Sequence, residues 1–572
     1  MDEIKAIETE RVDDIPLLVA QMERMGLPGL VDAHLRVHGK RQGLSVGWVT
    51  AIWLAHILSE ADHRLNQVEE WAARRVETLR ACVPEAVTVK DLTDDRLADV
   101  LRLLSKDANW QALEGALNRD LLRVYDLRPQ RVHVDSTSAS GYWRVTEDGL
   151  FQFGHSKDGR DDQPQVKVML AVLDPLGLAV ATDVVSGPRA DDPLYLPIIR
   201  RVRQSLEQTG LLYVGDCKMA ALETRASVAH EGDFYLCPLS ALQMSPAVLR
   251  RHLDMAFQTA ALQPVERVGL DGAVAVIAEG VEWTERLEAV VGDQPVVWQE
   301  RRLLVRSLAQ ARAAEAAVRA RLAEAQAALT SLVTPGRGKR RFTTRADLEE
   351  ATQAILARYD VRGLIDLTFI HQARTRTVRA YRDRPARHFL ETTITLTHQV
   401  NTTTLDQAIR LLGWRVYVTN HPADQLPLAQ AVLAYRDEFL VEHSFGRLKG
   451  HPLSLSPMYL ERDDHATGLV RLLSLALRVL TLLEFLVRRE LAKTADTLAG
   501  LYAGNPKRAT ARPTAERLLE AFRNITLTIL HLPHQILYHL TSLSTLQQLI
   551  LTLLGLDSSV YSRLSRVSLI PP

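Results

Sequence analysis

At 572 residues the chain is too long for one ordinary domain, and length alone predicts about three to five folding units. Hydrophobic residues make up 47% and charged residues 24%, which excludes global disorder. The 69 basic residues balance the 69 acidic ones, so no overall positive field draws the chain to nucleic acid, and any such contact must come from local patches.

The opening segment, MDEIKAIETERVDD, is charged and lacks an apolar signal-peptide core. Residues 1–128 read as helices. VGWVTAIWLAHIL has apolar residues at helical spacing, and LTDDRLADVLRLL follows with Thr93 and Asp94 as cap residues. This region suits either a docking domain or a DNA-end-binding domain. Character changes at RVHVDSTS. Strands are predicted at Arg131–Ser136, Gln165–Leu173, Ala179–Ser186 and Leu211–Val214, with the helix DDPLYLPIIRRVRQSLEQ before the last of them. A helix, MAALETRASVAH, and a strand, DFYLCPL, come after Asp216. Residues 129–240 therefore predict a mixed α/β sheet.

An insertion, 241–412, interrupts this plan. It opens with strand-like AVAVIAEGV and enters a long Ala-rich helix over about Glu300–Leu332, read as a coiled-coil-like arm, which ends in basic TPGRGKRRFTTR. Residues 413–495 resume the core with the strand WRVYVTN and a long helix over Pro427–Lys449. Residues 496–572 read as a helical, dimerisation-type region entered through the linker NPKRATARP. Gly468–Val487 contains Arg471, Arg478 and Glu484, so no membrane span is expected there. Ile525–Leu556 lacks Asp, Glu, Lys and Arg, but Pro533, His531, His534 and His539 interrupt it; a buried or partner-facing helix pair is expected. Cys82, Cys217 and Cys237 form no CxxC pair, which predicts a reduced cytoplasmic compartment and no cysteine-rich zinc site.

Three acids stand out by position. In RVHVDSTS, alternation sends Val132 and Val134 to one face and His133 and Asp135 to the other. Asp216 follows the apolar strand LLYVG, at the strand end where α/β sheets bind ligands. Either aspartate alone is weak evidence, since a strand-terminal Asp is more often a turn or cap residue. In YRDEFLVEHSFGRLKG, Tyr435, Glu438, Glu442 and Lys449 share one helical face with Phe445.

Taken together with GHSKDGRDDQPQVKVMLAV, the ordered set VDSTS, VGDCKMA and VEHSFGRLKG resembles bacterial insertion-sequence DDE transposases with a tyrosine–arginine–glutamate–lysine signature. The resemblance covers about Arg131–Asp233 and Gly413–His465. It implies an RNase H-like core with helical N- and C-terminal regions, in which Asp135, Asp216 and Glu442 are both catalytic residues and metal ligands. Two Mg²⁺ ions, for which Mn²⁺ substitutes, would sit roughly 3.5–4 Å apart on such hard carboxylates and serve both hydrolysis and strand transfer. The implied partners are double-stranded DNA, as terminal inverted repeats and target, and a second copy of the chain in a homodimer on DNA. The implied location is the bacterial cytoplasm, on the nucleoid when bound. Glu438 departs from the signature, which has arginine there; Arg436 and Arg447 are the nearest substitutes.

Lys449 and Tyr435 are candidate phosphate contacts, joined by Lys157, Arg160 and Lys167 near the first hairpin. Tyr435 is equally a helix–sheet packing residue. Two basic patches lie in the insertion. One is Arg337, Lys339, Arg340, Arg341 and Arg345; the other is Arg374, Arg376, Arg379, Arg382, Arg384 and Arg387, with Tyr381 and Asp383 interleaved. Three rival readings remain: an impaired or domesticated transposase acting as a DNA-binding assembly protein, a nuclease that cuts without joining, and a haloacid dehalogenase-like phosphatase with Asp135 as nucleophile. The last expects an acid where Thr137 stands, and leaves the Tyr435–Lys449 helix unexplained.

Overall fold

Period-two and period-3.6 apolar runs alternate along this chain, and in the computed structural model they fold into a mixed α/β protein with one large mixed sheet and many helices. The structure describes residues 4–37, 42–259, 262–269, 272–336, 342–380, 382 and 385–569. Strand β1 (Ala6–Arg11) precedes a helical block that includes α1 (Val46–Glu60), α2 (Asp94–Leu104) and α3 (Asp107–Tyr125). Every α1 residue from Val46 to Leu58 is buried, as a helix without a polar face requires. Ser45 caps it, accepting from the Trp48 N–H.

The sheet begins with β2 (Arg131–Ser140), β3 (Gln165–Leu173) and β4 (Leu178–Ser186), an antiparallel meander. After α4 (Tyr195–Leu206), β5 (Leu212–Gly215) pairs parallel with the free side of β2. Helix α5 (Leu222–His230) then leads to β6 (Phe234–Pro238), parallel to β5. All nine β3 residues are buried, as in a strand covered on both faces.

A second meander, β7 (Gln263–Val268), β8 (Val274–Val291) and β9 (Gln294–Ser307), joins the same sheet. The chain leaves it through α6 (Leu308–Val333), α7 (Arg345–Arg358) and the hairpin of β10 (Ile365–Val378) and β11 (Arg387–Val400). It returns in β12 (Trp414–Thr419), which pairs with β6 on one side and β9 on the other. The nine strands run β4-β3-β2-β5-β6-β12-β9-β8-β7. Part of the insertion is thus continuous with the main sheet, and only the segment after Ser307 forms a structure with small cores of its own. The Ala-rich helix starts at Leu308 rather than Glu300. Glu300–Ser307 alternates, and it finds strand partners on both sides. Within α6, Val318, Leu322, Ala325 and Leu329 are buried at coiled-coil-like spacing.

The three helices that follow β12 are α8 (Leu428–Arg436), α9 (Phe439–Lys449) and the 32-residue α10 (Asp463–Thr494). The charges inside α10 are paired within the protein. Arg478 meets Glu114 at 2.6 Å, Arg471 bonds Asp107 and the Leu104 carbonyl, and Glu484 bonds Arg447. Among the described residues, no helix is long and apolar enough to cross a membrane. Ile525–Leu556 is not a helix pair. It forms β13 (Thr526–His531) and β14 (Gln535–Leu540), then a helix at Thr545–Leu554. The alternation in TLTILH and QILYHL, broken by Pro533, suits a hairpin, and β1 supplies the edge partner through Ala6↔His531. With β15 (Arg566–Leu569) they complete a four-stranded sheet that ties the two ends of the chain together.

Candidate active site

Strand register assembles the first part of the site. Val134 pairs with Gly215 across the parallel β2–β5 ladder, so the next residue on each strand, Asp135 and Asp216, comes to adjacent positions at the C-terminal end of β5. The approach is tight. A Cβ on Gly215 would lie 2.9 Å from the Met219 sulfur, 3.1 Å from the Tyr195 ring and 3.2 Å from the Val134 carbonyl oxygen.

Each aspartate has a partner. Burial pushes the Asp135 carboxyl above the usual carboxylate range; the Lys157 ammonium, 3.0 Å from Oδ1, opposes this, and the charge of Asp216 adds to it. Lys157 also donates to the Ser136 carbonyl at 2.7 Å. Asp216 Oδ1 accepts from the Tyr195 hydroxyl at 2.7 Å and from the Lys218 N–H at 2.9 Å. Tyr195 is fully buried at the start of α4, and burial followed by the two aspartate charges raises its hydroxyl well above its ordinary pKa.

The helix expected over Pro427–Lys449 breaks at Asp437–Glu438, where Glu438 becomes the N-cap of α9. Glu438 is half-buried. Burial pushes its carboxyl up to about 7; the Tyr435 hydroxyl opposes this, and the charges of Asp135, Asp216 and Glu442 add to it. Glu442, one turn further, is exposed. Helix α9 packs on β2 and β3, and at its end Lys449 Nζ lies 3.4 Å from Thr137 Oγ1 and 2.6 and 2.5 Å from the Asp158 carboxylate oxygens. Beneath the site His133 Nε2 sits 3.3 Å from Asp174, which accepts from Arg131 at 2.6 Å. Arg131 also lies 3.5 Å from Asp437, linking β2 to the helix break. Against burial, His133 and Arg131 hold the Asp174 carboxyl below its usual range.

Several sequence-selected residues are engaged elsewhere. Arg447 is buried between Glu484 and Glu516, so it braces α9 against α10. Lys167 is buried on Asp191 at 2.8 Å and on the Arg189 carbonyl. Arg436 bonds the Ile277 carbonyl and Ser307, away from the aspartates, so neither arginine near the signature stands in for the one missing at Glu438. Tyr435 stacks at a tilt on Tyr417, ring centroids 4.7 Å apart, while bonding Glu438. Arg160 is exposed in the loop that carries Lys157. Arg376 and Arg379 are exposed on the β10–β11 hairpin. Arg337, Lys339, Arg340, Arg341, Tyr381, Asp383 and Arg384 lie outside the described residues, and Arg345 opens α7.

Tyr195, Asp158 and the His133–Asp174–Arg131–Asp437 chain were not singled out by sequence. The only signals were the buried face of DDPLYLP and the alternation that puts His133 beside Asp135. Among the described residues, no three His, Cys, Asp or Glu side chains are gathered closely enough to hold a metal ion. The chain matches no protein-family profile. No curated protein matches it. Among solved structures it is similar to a piggyBac transposase in a synaptic complex with hairpin DNA, at 8% identity and a TM-score of 0.31, over 89% of this chain and 79% of that one. At that score the likeness carries no weight for fold or function.

Proposed function

We propose that this chain is a DDE-type DNA transposase built on an RNase H-like core. It would cleave DNA at terminal inverted repeats and transfer the freed 3′-OH to target DNA. One observation carries the reading: Asp135, within β2, stands beside Asp216, just past the end of the parallel strand β5, in a sheet ordered meander, then two parallel strands, with the glutamate-bearing α9 laid against it. The motif order found in the sequence supports the same assignment of Asp135, Asp216 and Glu442.

Two neighbouring aspartates offer the oxygen ligands that suit Mg²⁺ or Mn²⁺, and burial, with a smaller contribution from the Asp216 charge, raises an Asp135 carboxyl that a cation would relieve. When bound, two such ions supply an activated water and charge stabilisation of the leaving 3′ oxygen. The protein's own side chains do the rest. Tyr195 orients Asp216 through its bond to Oδ1. Lys449 holds a backbone phosphate as a point charge on the Thr137 side of β2. The exposed arginines of the β10–β11 hairpin hold flanking duplex, and a second copy of the chain completes the complex on DNA.

The second reading, an assembly protein that binds DNA without cutting it, is favoured by Glu438 standing at the signature arginine and by the spread of the acids. End-labelled DNA flanking the gene, incubated with Mg²⁺ or Mn²⁺, separates the two. Metal-dependent nicks exposing 3′-OH ends, absent in Glu442→Gln, support the transposase. Binding without cuts, even with Mn²⁺, supports the assembly protein.

A further inference from the structure

Two adjacent residues of one loop occupy both halves of the proposed site. Lys157 puts its ammonium on the first aspartate, 3.0 Å from Asp135 Oδ1. Asp158 puts its carboxylate on Lys449, 2.6 and 2.5 Å from Nζ. Charge for charge, Lys157 stands to Asp135 as a cation would, and Asp158 stands to Lys449 as a phosphate would. We propose that Lys157–Asp158 is a built-in latch, an internal mimic of cation and phosphate that holds the site closed until metal and DNA displace it together. This inference rests on the transposase reading and concerns the regulation of that same site.

The loop is held at its backbone by serine and aspartate acceptors, and its two charged side chains tie it to the site. The Lys157 N–H donates to Ser138 Oγ at 2.9 Å, the Ser156 N–H to Asp161 at 2.6 Å, and the Asp158 N–H to Ser156 Oγ at 3.2 Å. Ser156 is buried and sits 3.3 Å from Ser140 on β2. Each ion pair is part-exposed: side-chain exposure is 32% for Lys157 against 17% for Asp135, and 40% for Asp158 against 21% for Lys449. Ion pairs of this kind are weak and screened by salt. A divalent cation on the aspartates and a polyanion on Lys449 both outcompete them, so the latch raises the threshold for engagement without blocking it. Because the pair sits on consecutive residues, clearing one half loosens the other. That couples metal binding to DNA binding.

The test uses the full chain and two probes. The first is a short random-sequence duplex, titrated at several salt concentrations with wild type, Asp158→Asn, Lys449→Ala and the double variant. Asp158→Asn should bind more tightly and steepen the log–log salt dependence by about one, the mark of one more phosphate contact. Lys449→Ala should cancel that gain, and Asp162→Asn, an exposed acid of the same loop, should not reproduce it. The second probe is Mn²⁺ alone, read by electron paramagnetic resonance. Lys157→Met should bind it about fivefold more tightly than wild type. Arg160→Met should not, and Asp135→Asn should abolish the gain. Equal affinity and slope for Asp158→Asn and wild type, or unchanged Mn²⁺ affinity in Lys157→Met, overturns the latch. Failure of every variant to bind duplex overturns the functional reading instead, and the Mn²⁺ arm then decides the latch alone.

Discussion

The two halves of the site are held by different physics. On the strand side, Asp135 and Asp216 are placed by backbone register, since the β2–β5 ladder fixes Val134 against Gly215 and the next residues follow. Their side chains are then secured by Lys157 and Tyr195. On the helix side nothing comparable fixes Glu442. It lies beyond a break in the helix and is exposed on α9, whose other face buries Val441, Phe445 and Leu448 against β2 and β3 and whose Arg447 braces it to α10. A ladder fixes the backbone on which both aspartates stand, whereas packing fixes the buried face of α9 and leaves Glu442 on its exposed side. The strand half is thus set by hydrogen-bond register and the helix half by side-chain packing.

The largest effect that sharpens this contrast is on cleavage. Asp135→Asn and Asp216→Asn should each reduce metal-dependent nicking by more than ~100-fold, beyond the range seen for residues that merely support a ligand. Duplex affinity should stay near wild type. Glu442→Gln should behave the same way. If Glu438→Gln proves the more damaging of the two, the third acid is Glu438 and the signature register is off by one helical turn. Next comes Tyr195→Phe, which removes only the hydroxyl that fixes Asp216. A loss of about 10–100-fold in nicking, with Mn²⁺ affinity falling alongside, is expected for a supporting hydrogen bond. No change in either would leave Asp216 held by register and the Lys218 N–H alone.

How far this was legible from sequence follows the same division. Strand positions, their order and both aspartates could be read from short apolar runs, because period-two alternation is local. The break in the 427–449 helix could not, since YRDEF carries no Gly or Pro, and the break coincides with contacts to Arg131 on β2 that only the fold creates. Likewise β1 pairs with β13 across almost the whole chain. Although β14 is a local hairpin partner for β13, the apolar run Ile525–Leu556 reads as a helix pair because its lack of charge masks the alternation. Charge alone misassigned Arg447 and Lys167, because a lysine or arginine that satisfies a buried acid has the same letter as one that meets phosphate. Tyr195 was invisible because nothing local distinguishes a buried helix-start tyrosine that only packs from one that bonds Asp216.

Glu438 offers a pH test of the helix half. Its carboxyl rises from 4.5 to about 7 on folding. Between those values the unfolded chain has already lost the proton that the folded chain retains, so stability falls as pH rises through this window and levels off above it. Glu438→Gln stays neutral throughout. It should therefore be more stable than wild type by about 1–3 kcal/mol at pH 8, a gain that shrinks toward zero near pH 4.5. Denaturant unfolding at the two pH values measures it. A difference independent of pH would mean that Glu438 is neither buried nor facing the other acids.

The smallest effects belong to the segment beyond the sheet. Arg376 and Arg379 are exposed on a hairpin far in sequence from the acids, on a two-stranded ribbon of the kind that tracks a duplex. If they touch backbone phosphate, Arg376→Ala and Arg379→Ala should each lower the salt dependence of duplex binding by about one, uniformly across sequences. Nicking at saturating DNA should be untouched, because neither residue belongs to the strand-and-helix site. The pairing of Arg376 with Phe389 across the hairpin gives a second readout: Phe389→Ala should weaken binding without altering the salt slope if that face packs against DNA. Identical slopes in all three variants would detach the hairpin from DNA and leave Lys449 as the main cation proposed to hold it.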